Sequence, residues 1–172
     1  SLTTNGATAV NATSIDMAAG SSVTAGTDLS MVTSGDQNLA QVNAGNTLQL
    51  KAAGLSATTL GAGSDATLAA SGNAQFGALW VGGHLDLQAQ QAVAFSGDTW
   101  VGGAADLVLG DASFGGQFVV AGGALNLQAA GAVTQGGASS LWANGDLNAN
   151  ALRWTMDAGS QLASAGALVL AT

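Results

Sequence analysis

Asp86 and Asp106 hold the same place in two copies of one repeated segment, LDL and ADL. If those copies lie side by side as strands, the two carboxylates stand roughly 4.8 Å apart, one strand spacing. Such a pair can divide the acid and base roles of glycoside hydrolysis. Catalysis would also need a cleft with cationic and hydrogen-bonding neighbours. The column that carries the pair continues instead as Asn126 and Asn148, which reads as a solvated polar ladder. No residue is assigned a catalytic role, and the chain is not expected to be an enzyme.

The other chemistry-bearing residues are equally isolated. Gly61-Ala62-Gly63-Ser64-Asp65-Ala66 fits a GxGxxA phosphate loop on paper, but that motif works only where a helix follows, and Thr67 and Leu68 continue a strand. The same stretch is one degenerate copy of a calcium-binding nonapeptide, which needs tandem copies to share each ion. His84 is the sole histidine and has no Cys, Glu or second His near it, so it reads as a surface residue. No cofactor or metal is called for.

Tryptophan is the most informative surface residue. Trp80, Trp100 and Trp142 share one column, five residues before a recurring apolar marker, and Val120 completes that column. Its earlier members are Thr24, Asn43 and Gly61, a polar or small series that points the column outward. Aromatic residues on successive copies would form an exposed stripe, which either shields a corner or marks a contact surface for a neutral sugar or another shaft. Trp154 alternates with Leu152 and Met156 and is expected at the core or its edge.

These residues are positioned by a repeat. The marker falls at Leu29, Leu48, Ala66, Leu85, Ala105, Leu125, Leu147 and Leu168, with Val10 before them, at intervals of 18 to 22 residues. A fixed period near that length is the mark of a solenoid. Two residues after the marker stand Met31, Leu50, Leu68, Leu87, Leu107 and Leu127, with polar residues between the two apolar columns. Apolar–polar–apolar is a period of two, and so a strand with one buried face. A second apolar column runs six residues before the marker, through Val42, Leu60, Leu79 and Val119, with Thr99 the misfit. Gly or Asn recurs between the strands, as suits positive φ or a tight bend.

Composition agrees. Of 172 residues 26 are glycine, proline and cysteine are absent, and all ten acidic residues are Asp against one Lys and one Arg. Glu, Lys and Arg normally cover helix surfaces, so their scarcity rejects an all-helical protein. A net charge of −8 argues against nucleic acid, sulfated glycans and anionic membranes. No run of about 18 apolar residues could span a bilayer. The expected fold is all-β: a single-stranded, right-handed parallel β-helix of about eight or nine coils, occupying residues 1–172 as one segment of a longer array.

Repeats reading V-x-A-G-x-x-L-x-L-x-A-x-G, clearest in VNAGNTLQLKAAG and VAGGALNLQAAG, resemble the filamentous haemagglutinin family. That family comprises large Gram-negative exoproteins exported by two-partner secretion, among them adhesins and contact-dependent growth inhibition proteins. The resemblance implies a shaft segment of a secreted cell-surface protein that projects a distal binding or toxin domain. It also implies an outer-membrane secretion partner for the parent and neighbouring coils above and below. A host glycan or receptor, or self-association, is the partner that the tryptophan column would serve.

Overall fold

A computed structural model describes residues 1–172 as strands and turns, with no helix. None of its segments is therefore a helix long and apolar enough to cross a membrane. Every strand pairing is parallel, and the strands form one nine-stranded and one fourteen-stranded sheet. The chain is a β-solenoid of about eight turns.

One coil shows the plan. The chain runs through Leu85–Ala89, then Val93–Phe95, then Thr99–Val101, and returns at Ala105 directly beside Leu85. These segments define a first, second and third ladder up the axis. In three early coils the second and third ladders are one bent strand: Gln37–Ala44, Leu55–Ala62 and Ala74–Val81. Later coils insert residues at that bend, so the strand divides into pairs such as Ala132–Gln135 and Ser140–Ala143. Most of the lengthening of the repeat toward the C-terminal half is located there.

Alternation decides which residues turn inward. In Leu85–Ala89, Leu85, Leu87 and Ala89 are buried while Asp86 and Gln88 face out. Register stacks Leu85 between Ala66 and Ala105, and Leu125 beyond that. One cluster of 42 buried residues runs from Ala25 to Ala151, so no coil has a core of its own. It includes all four phenylalanines. Phe95 stacks on Phe114 at 5.0 Å between centroids, and Phe118 meets both edge-on.

The misfits have places too. Thr99 lies in the column of Leu79, Phe118 and Leu141 and is buried with its hydroxyl unpartnered. Gln37 is buried and donates its amide to the Met31 and Lys51 carbonyls. Trp154 is half-buried at the core edge and donates Nε1–H to Gln135 Oε1 at 3.1 Å. Of its expected companions, Met156 shares its side, stacking beside the inward Gln135, but is exposed in this late coil, while Leu152 precedes the strand and is exposed.

The corners are built from two devices. In the first, Gly26, Gly45, Gly63, Gly82, Gly102 and Gly122 stack one above another. None has positive φ; each needs to be glycine because a Cβ there would sit inside the carbonyl oxygen of the coil before it. The expected conformational reason is thus replaced by close approach of backbones. In the second, an aspartate immediately before a strand accepts the backbone N–H at the same position of the next coil. Asp65 takes the N–H of His84 at 2.8 Å, Asp98 that of Gln117 at 2.9 Å, Asp111 that of Ala132 at 2.7 Å and Asp146 that of Ala167 at 2.8 Å. Asp28 does the same to Thr47 and Asp36 to Gly54, so six of the ten aspartates are spent on coil-to-coil clamps. Asn73 supplies a neutral version to Ala92. Reaching one strand spacing along the axis suits the short Asp side chain, which accounts for Asp and not Glu at these six positions.

Two placements differ from the sequence reading. The first-ladder partner of Leu29 is Thr8, and Val10 lies one inward step later, beside Met31. The corner from Val120 to Leu125 holds four residues, Ala121–Ala124, where the corner from Val101 to Ala105 holds three, Gly102–Ala104. Counting back from Leu125 therefore stops one residue short. Val120 and not Ala121 stacks in the inward column of Val101 and Ala143, and Phe118 takes the place expected for Val119.

Candidate functional site: an exposed tryptophan ladder

The third ladder carries the outward column Thr24, Asn43, Gly61, Trp80, Trp100, Val119, Trp142 and Ala163. Three of the four residues expected on the stripe are there. Val120 is not: it is fully buried, for the reason just given, and Val119 stands in the stripe instead.

Trp80 is 48% and Trp100 37% exposed, among the most exposed large apolar side chains away from the chain ends. Their rings lie 5.6 Å apart between centroids and 7° from parallel. Two indoles that close cannot lie edge to edge in one plane, so they are stacked face to face up the axis. The column is a stack with its edges in water, not the flat platform a row of exposed aromatics suggests. Each ring also leans over the corner glycine two residues on; a Cβ on Gly82 would meet Trp80 Cη2 at 3.4 Å, and one on Gly102 would meet Trp100 Cη2 at 3.0 Å. Shielding a corner and presenting a surface are therefore properties of the same two rings. Trp142, with Val119 intervening, is half-buried.

The carboxylate pair is brought together as expected, Asp86 beside Asp106 in register. Its hydrogen bonds are those of a ladder. Asn126 donates to Asp106 Oδ1 at 2.7 Å and Asn148 to Asn126 at 3.1 Å, while Gln88 reaches Asp86 at 3.4 Å. His84 Nε2 stands 3.3 Å from the other Asp106 oxygen, a partner not anticipated for it. All of this lies on an open sheet face.

Elsewhere, a shallow groove of about 740 Å³ crosses the outer face of the second ladder, past Asn38, Ser56, Gln75 and Ser113. Its one carboxylate, Asp36, already accepts the N–H of Gly54. No group of three or more His, Cys, Asp or Glu side chains is placed to hold a metal ion. In Gly61–Ala66, Gly61 and Ala62 end the strand Leu55–Ala62, residues 63–65 form the corner with Asp65 as a clamp, and Ala66 opens the strand Ala66–Ala70. The clamps are the feature that sequence reasoning missed. Their signal was an Asp directly before the first inward residue at 28, 65, 98 and 146.

The class defined by these features is a parallel β-solenoid repeat protein with one aromatic surface ladder. Comparison of the chain with models of protein families, with characterised proteins and with solved structures gives no match.

Proposed function

We propose that the chain is a shaft segment of a large secreted bacterial surface exoprotein, holding a distal binding or toxin domain away from the cell. The observation that carries this reading is how the polar groups are used. Six of the ten aspartates clamp one coil to the next, and Asp86 and Asp106, the two that stand side by side, sit in a hydrogen-bonded ladder on an open face. A rod of eight or nine coils is on the order of 40 Å long, and its stiffness comes from ladders continuous along its length. The repeat's likeness to filamentous haemagglutinins supports the same reading and adds export through an outer-membrane partner.

Removing residues 85–104 takes out one whole coil and sets Ala105 in the place of Leu85. In a passive shaft the shortened parent is still exported and its distal activity persists. Loss of that activity with the fold intact would count against the shaft.

A second reading rests on the tryptophan ladder. Two stacked indoles with solvent at their edges suit contact with a glycan or another shaft. Replacing Trp80, Trp100 and Trp142 together by Ala, with glycan arrays and sedimentation as readouts, tests it; unchanged behaviour in both removes it.

A further inference from the structure

We propose that the step over Val119, between the indoles of Trp100 and Trp142, is a binding site for one neutral pyranose ring of a glycan. The inference rests on the second reading, in which the ladder is a contact surface, and is independent of the shaft.

Register places Trp80, Trp100, Val119 and Trp142 on four consecutive coils. Between Trp80 and Trp100 there is no room, because their faces are already stacked. Trp100 and Trp142 are separated by two strand spacings, about 9.6 Å. The rung between them is a valine, half-buried and much shorter than an indole. In the proposed site the valine methyl groups would form the floor, and the indoles of the coils before and after it, each longer by a ring system, would form the walls. The ladder thus has one missing rung.

The size of the gap selects its occupant. A flat aromatic ring touching both walls needs only about 7–8 Å from wall to wall, at carbon–carbon contact distances. A puckered pyranose, with axial hydrogens on both faces, is thicker and fills the remainder. Sugar hydroxyls at the ring edge would find Gln117 beside Val119 and Ser140 beside Trp142, each two residues earlier on its strand and so on the same side. Charge selects further. Between Lys51 and Arg153 the chain carries no other Lys or Arg. Asp98 lies two residues before Trp100. Sialylated and sulfated sugars are disfavoured, and so is a second copy of this acidic chain.

The test is a glycan array of neutral, sialylated and sulfated structures. Tryptophan fluorescence titration with the strongest hit follows, for the wild-type chain and for Val119→Trp, Trp142→Ala and Val108→Ala. Val119→Trp is the decisive variant, because it fills the missing rung while continuing the aromatic stack; its thermal melt reports that the fold persists. The expected result is a neutral hexose-containing hit whose affinity falls roughly tenfold or more in Val119→Trp and Trp142→Ala. Val108→Ala, an exposed apolar residue of the first ladder and off the stripe, should stay within about threefold. No hit, hits confined to anionic glycans, or a hit indifferent to Val119→Trp would overturn the site. A dimer seen by sedimentation and dissociated by Val119→Trp, without any glycan hit, would assign the gap to self-association and equally overturn it. None of these failures touches the coil-deletion result on which the shaft stands.

Discussion

Ala138 occupies, at φ 64°, the turn position that Gly159 occupies one coil later at φ 86°. Both belong to four-residue turns joining the second ladder to the third, and each turn closes with a serine whose hydroxyl and amide point back to the first residue's carbonyl. Ser139 does so to Gly136, Ser160 to Asp157, and in the first coil Ser21 to Ala18 across Gly20 at φ 79°. The turn is written three times, twice with glycine and once with alanine in the left-handed region. A Cβ there costs about 1–2 kcal/mol. Ala138→Gly should therefore raise stability by about 1 kcal/mol, and Gly159→Ala should lower it by a similar amount. Paired urea denaturation curves check both signs.

Thr99 stands between Leu79 and Phe118 with no partner for its buried hydroxyl. Valine has the same shape without the polar atom. Thr99→Val should stabilise the chain by about 1 kcal/mol, the release of an unsatisfied buried group, which thermal melts would register as a rise of about 2–4 °C. A fall would mean that the hydroxyl has a partner in solution.

The glycine stack predicts a steep contrast between positions. Gly82→Ala or Gly102→Ala drives a methyl into the carbonyl of the coil before it and into the indole leaning over it. Backbone must shift, at a cost on the order of 3 kcal/mol. Gly6→Ala, with nothing within 4 Å of the new methyl, should be close to neutral. Denaturant midpoints for the three variants make the comparison.

Asp28 is held below the ordinary carboxyl range by the Thr47 hydroxyl, then by the Thr47 backbone N–H and the Asn46 side-chain amide. Its folded pKa is thus lower than its unfolded one. What the clamp contributes is fully present above the unfolded carboxyl value, about 3.9, and is lost as pH falls through the folded value. Wild-type stability should drop across that acid window, and Asp28→Asn should flatten part of the drop. Carbon-13 titration of the Asp28 carboxyl locates its midpoint; one at or above the unfolded value contradicts the clamp.

What could be read without coordinates follows from which signals repeat. Leu85, Leu87, Leu107 and Leu127 recur at both the strand period and the coil period, so their burial and stacking were legible. The stripe was legible through Trp80 and Trp100 and failed at Val120, because register cannot be carried across a corner of variable length. The extra residue among Ala121–Ala124 leaves no mark in the apolar pattern itself. Glycine's recurrence was visible but its cause was not, since close approach and positive φ ask for the same residue. The missing rung at Val119 follows only from knowing which residue lies beside Trp100.

Vertical stacking of residues one period apart underlies every claim, and electron–electron spin-label distances up one outward column measure it directly. Lys51, Ala69, Gln88, Val108, Gln128 and Asn150 are successive partners. Labels at Lys51 and Gln128 should lie about 19 Å apart, and labels at Lys51 and Asn150 about 24 Å, one strand spacing more. Narrow distributions with that increment are the predicted result; equal distances, or broad ones that do not grow with coil number, would contradict the stacking.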